Sequence, residues 1–176
     1  MRAHRSIVSF AGVPVLILTL LGSTRASGEE PAKDLPSLKQ MSLELANEIA
    51  WNALKACRKR AFQVAVAVMD RGGRTQVLLR DQLAGPHTLQ VSQGKALTAL
   101  SFRASTSRLA EETAPGTPIA GLRSVEGLVM VGGGLLVEAQ GQIVGAIGVS
   151  GAAGPANDEA CAKAGIDSVM DRLMLP

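Results

Sequence analysis

The sequence predicts an α+β domain, an antiparallel sheet with helices segregated against it, and three stretches carry that reading. Val64, Val66 and Val68 alternate with Ala65, Ala67 and Met69, then Asp70-Arg71-Gly72-Gly73 turns the chain into a second run, Arg74 to Arg80. β-Branched alternation around a glycine turn reads as a hairpin. Leu38, Met41, Leu45, Ile49 and Ala53 recur at steps of three and four, one apolar face of a helix. From Leu128 to Ser150 the chain is apolar and broken by glycine, which reads as strands. The order is helix, two strands, two helices, three strands, helix, a pattern of packed layers rather than of alternating βαβ units.

The chain opens with Arg2 and Arg5, an apolar run from Ile7 to Leu21 interrupted by Ser9, Gly12 and Pro14, and a small-residue exit through Ala26. Charged start, short apolar middle and small exit describe a secretory signal peptide over residues 1–26. The run is shorter than the roughly 20 residues needed to span a bilayer, so no stable membrane anchor is expected after processing. Cleavage removes Arg2, Arg5 and Arg25, leaving 15 of the 18 basic residues against 15 acidic ones. A formally neutral mature chain offers no nucleic-acid groove. The expected location is periplasmic or secreted. With only three Phe, one Trp and no Tyr, the core must be aliphatic.

Residues 27–36, polar and holding two prolines, form a flexible lead-in to a single domain over 37–176. Ser37 opens a capping box, Ser37-Leu38-Lys39-Gln40, and Lys55, Arg58, Lys59 and Arg60 suit the negative end of that first helix. After the hairpin, Pro86 presets φ for the first turn of a second helix running to about Arg103. Gly94 lies within it, a position costing roughly 1 kcal/mol against alanine unless another backbone or a flat ligand comes close there. Ser105-Thr106-Ser107 caps a short helix that Pro115 stops, and an extended loop runs to Arg123. Gly132-Gly133-Gly134 divides Leu128–Ala139 into two strands, and Gln140-Gly141 turns the second into Gln142–Ser150. Gly145 and Gly148 inside that last strand mark a bulge or close packing. Asn157 is the expected N-cap of the final helix. Cys57 and Cys161 fall on the first and last helices. They could form one disulfide in an oxidising compartment, or be two small buried hydrophobes.

Of the chain's two histidines only His87 lies beyond the leader. It occupies the first turn after the Gly85-Pro86 corner, and neutral imidazole is the metal-binding form. One histidine does not suit zinc, which takes three or four protein ligands. It suffices for haem, whose porphyrin supplies four nitrogens. Arg80, Lys95 and Arg103 lie on the flanking elements as cations for propionates, or are ordinary surface charge. Nucleotide readings fail. Gly132-Gly133-Gly134 lacks the following Gly-Lys-Ser/Thr of a phosphate loop, and Gly145-x-x-Gly148 lies inside a strand. Gly148-Val149-Ser150-Gly151-Ala152 approaches a nucleophile elbow but has alanine last and no downstream histidine. The loop Ser150 to Asn157 could still present helix N–H groups to a small anion.

Four segments together are familiar: Val64 to Gly73; Gly85-Pro86-His87-Thr88 followed by Lys95-Ala96-Leu97-Thr98-Ala99; Gly141 to Gly151; and Asp158 to Ile166. They resemble the GlcG/HbpS-type haem-binding family across residues 37 to 173, with Leu135-Leu136 departing where a proline usually follows the glycines. The resemblance implies a profilin-like fold with a five-stranded antiparallel sheet, homo-oligomers, and haem as cofactor with iron on His87. It implies haem storage, sensing or degradation. Two other readings remain: a metal-free enzyme or accessory protein for a small anionic metabolite of glycolate or diol metabolism, and an oligomeric sensor partner of a membrane protein.

Overall fold

The computed structural model describes residues 34–175. The leader and the lead-in as far as residue 33 lie outside the described residues, and the compact unit begins at Ser37. Its elements are α1 (Leu43–Lys59), β1 (Ala65–Asp70), β2 (Thr75–Arg80), α2 (His87–Phe102), α3 (Thr106–Glu112), a 3-10 turn (Ala120–Ser124), β3 (Gly134–Ala139), β4 (Gln142–Ser150), α4 (Pro155–Asp167) and α5 (Met170–Met174). The strands form one antiparallel sheet in the order β2-β1-β4-β3.

Strand alternation sorts the sheet into two unequal faces. Val64, Val66, Val68, Val77, Ile147 and Val149 point one way and join Ile49, Leu54 and Ile166 of α1 and α4 in the main core. Each such side chain contributes about 1.5–3 kcal/mol on burial. Small residues point the other way: Ala146 and Met69 meet Ala96 and Ala99 of α2. A Cβ at Gly148 would run into the Ser92 carbonyl and the Ala96 nitrogen, so its absence lets the α2 backbone rest on β4. Helices therefore cover both faces rather than one. Cys57 of α1 and Cys161 of α4 are joined by a disulfide, with Cα atoms 5.4 Å apart and both residues buried.

Three expectations are corrected. The sheet has four strands among the described residues, not five. Leu128–Val131 leaves the sheet to cross α2, where the Val129 N–H donates to Thr98 Oγ1 at 2.8 Å instead of to a neighbouring strand. The first helix begins five residues late, because the Ser42 hydroxyl accepts from Leu45 N at 3.2 Å. The residues before it stay extended because the hairpins hold them: Lys39 N–H donates to Gln142 Oε1 (3.1 Å), and Gln76 Nε2 donates to Met41 O (3.3 Å). Asn157 is not the cap of α4. Gly154 holds that place at φ 95° and Pro155 starts the helix, while the Asn157 amide donates back to Ala153 O.

Candidate functional site

At one end of the sheet, β2 runs out into a turn that delivers the chain to α2. Asp81, 2 % exposed, holds the start of this turn. It accepts two bonds from the Arg58 guanidinium (2.7 and 2.5 Å) and one from Val64 N (3.3 Å). Arg80 Nη1 donates to Ala84 O at 2.5 Å, and the buried Thr88 hydroxyl donates to Gly85 O at 2.6 Å. These bonds fix the corner from both sides. His87 is exposed, and its ring lies back over Gly85, where a Cβ would stand 2.6 Å from Cε1 and 2.8 Å from Nδ1. Only glycine leaves room for that pose. Among the described residues no hydrogen bond engages either ring nitrogen.

Beyond His87, Gln90, Val91 and Gly94 follow at three, four and seven residues, one face of α2. Together with Met69, Leu97, Leu128 and Val129 they line an open cleft of about 360 Å³. The segment crossing α2 makes its far wall, and Gly94 permits the crossing: a Cβ there would lie 2.5 Å from Val129 Cγ2 and 3.1 Å from Gly127 O. The glycine expected to admit a backbone does so. His87, which is not part of the lining, stands on the same face of α2 one turn before Gln90, and Leu83, 78 % exposed, lies four residues ahead of it in the chain.

The three cations paired with His87 in sequence reasoning separate in space. Arg80 stays at the corner. Arg103 caps the far end of α2, a 16-residue helix, which is about 24 Å away at 1.5 Å per residue. Lys95 is 2 % exposed and its ammonium is already committed, 2.8 Å from Asp158 Oδ2 and 2.9 Å from Val149 O. Burial pushes the Asp158 carboxyl above its ordinary range, against the opposing pull of Lys95 and of the Ala152 and Gly151 N–H groups. The Ala152 N–H donates to Asp158 Oδ1 at 2.9 Å. The loop before α4, which the sequence offered to a small anion, is therefore held by the protein's own carboxylate. Neither Asp158 as the partner of Lys95 nor Arg58 as the partner of Asp81 is signalled by sequence spacing; the first pair stands 63 residues apart. Among the described residues no group of three or more His, Cys, Asp or Glu side chains could hold a bare metal ion.

Comparison with known proteins places this architecture. Residues 41–167 match the family described as "Haem degrading protein HbpS-like". The crystal structure of HbpS superposes with a TM-score of 0.73 at 36 % identity, covering 80 % of this chain and 98 % of that one. The ORFY protein of Klebsiella pneumoniae gives 0.74 at 27 % identity, covering 78 % and 96 %. Protein GlcG of Escherichia coli is 34 % identical over 110 residues, 62 % of this chain and 81 % of its own. The chain belongs to the HbpS-like family of haem-degrading proteins.

Proposed function

We propose that this protein is an exported haem-binding protein in which His87 supplies an axial ligand to the iron. The observation that carries this is an exposed imidazole with no hydrogen bond among the described residues, one helical turn before the α2 residues that line a mainly apolar cleft. The donor set would fit haem and not a bare ion, because the porphyrin brings four nitrogens of its own and would need only His87 from the chain. Val91, Leu97, Leu128 and Val129 would offer an apolar surface to the macrocycle, and Arg80, hydrogen-bonded at Nη1, would have further N–H groups for a propionate. Arg103 is too distant to serve the same haem, and Lys95 is spent in the interior. When bound, the haem supplies a redox-active iron. The chain's own contribution would be an imidazole to hold the iron, an apolar wall along α2 and a cation for one propionate.

Two features support the remaining parts of the reading. A buried disulfide between α1 and α4 fits folding in an oxidising compartment, in agreement with the leader-like start of the sequence. Leu83, 78 % exposed at the corner, gives a second copy of the chain an apolar surface with which to cover the open face of a bound haem.

The test is titration of the purified protein with hemin. A saturable shift of the Soret band is expected, with affinity falling at least about tenfold, equivalent to 1.4 kcal/mol, in His87→Ala. Equal affinity and an identical spectrum in that variant would remove His87 from the site.

A further inference from the structure

At the opposite end of the sheet, the two hairpin turns and the end of α2 frame an open cleft of about 320 Å³ that the haem reading does not use. Arg71 enters from the β1–β2 turn and Arg103 from the C-cap of α2. Leu38, Leu100 and Ile143 make its apolar wall, and Gln142 stands beside them. Among the described residues the Arg103 guanidinium has no hydrogen bond or ion pair, and Arg71 makes one long bond, Nη1 to Lys39 O at 3.4 Å. No carboxylate lines the cavity. Asp70 turns its Oδ1 back onto the N–H groups of Gly72 and Arg74, and Glu138, the cross-strand partner of Ile143, is exposed and outside the lining.

We infer that this cleft is a second ligand site, one that takes a small organic carboxylate with an apolar tail. Two guanidinium groups line this cleft with no carboxylate in the lining, so an anion entering it meets two charged donors. A planar carboxylate matches the guanidinium fork with paired N–H···O bonds. Gln142 Oε1 already accepts from Lys39 N, so its amide nitrogen is the remaining donor. The volume sits at the lower end of small-molecule pockets, which sets the ligand's size. The apolar wall decides its kind. Leu38, Leu100 and Ile143 reward a hydrocarbon tail and give a strongly hydrated inorganic anion nothing for the water it loses. The site lies a helix length from His87, so it stands or falls separately from haem binding.

The experiment follows backbone amide shifts in the ¹⁵N-labelled full chain, at fixed ionic strength, as isovalerate, acetate, isoamyl alcohol or inorganic phosphate is added. Isovalerate should produce saturable shifts at Gly141, Ile143 and Arg103, with acetate and the neutral alcohol each binding at least about tenfold more weakly. Arg71→Gln and Arg103→Gln should each weaken isovalerate by a similar factor, and Leu38→Ala, at an exposed position, should weaken it less. Absence of saturable shifts would overturn the proposal, as would phosphate matching isovalerate, or isovalerate binding undiminished in the double arginine variant.

Discussion

Lys95 and His87 sit two turns apart on one helix and have opposite fates. Lys95 carries a full charge into the interior, where Asp158 and the Val149 carbonyl consume it. His87 carries a ring with no hydrogen bond among the described residues, on the surface, one helical turn before the residues that line a cleft. The difference teaches how to sort polar groups on such a helix. A charged side chain whose bonds are complete holds the fold, and a donor left over beside a cavity is available for chemistry.

The largest effect should come from breaking the buried pair. Asp158→Ala leaves the Lys95 ammonium uncompensated and should lower unfolding stability by about 3–5 kcal/mol in denaturant titration, whereas Lys95→Met with Asp158→Leu should recover much of that loss. If the single and double variants are equally unstable, the pair is not what holds α2 to α4. The sign of the pH dependence also follows. The folded carboxyl keeps its proton to higher pH than the unfolded chain does, whose ordinary value is 3.8. The stability this group contributes is thus complete below that value and declines as pH rises through the raised one. Lowering the pH from neutral should therefore favour the wild type relative to Asp158→Asn in parallel melts, and a gap that shrinks would reverse the assignment.

Next in size is the disulfide. Reduction, or Cys57→Ser with Cys161→Ser, should cost about 2–5 kcal/mol, read from the shift in melting temperature. A smaller effect, about 1–3 kcal/mol, is expected from Gly94→Val, whose side chain would push Val129 off α2. Its particular value is that it should also weaken hemin binding by widening the cleft, which disulfide loss should not do directly. Smallest for the fold is His87→Ala. An exposed side chain without bonds should shift stability by less than about 0.5 kcal/mol, so any large loss of hemin affinity in that variant would belong to the ligand and not to folding.

Much of this was legible in the sequence, for identifiable reasons. The hairpin, the Pro86 corner and the Ser105 cap follow from local chemistry, which the surrounding structure does not oppose. The fifth strand was misread because Leu128–Val131 has strand composition, yet Thr98 and Gly94 on α2 draw it across the helix. Nothing in its own residues announces that. Ser37 lost the cap to Ser42 because Gln142 and Gln76, both far along the chain, hold the preceding backbone extended. The site divides the same way. His87 stands out in the sequence by its scarcity and position. The burial of Lys95 in an ion pair does not, since its partner lies 63 residues away and shares no motif with it.

The most direct test of iron ligation uses the chain's poverty in histidine. With His4→Asn in place, His87 is the one imidazole left. Protein grown with ¹⁵N-histidine and loaded with hemin should show, by electron-nuclear double resonance, a ¹⁵N hyperfine coupling from a directly bound nitrogen. A spectrum unchanged by the label would mean that the iron is held by some other group.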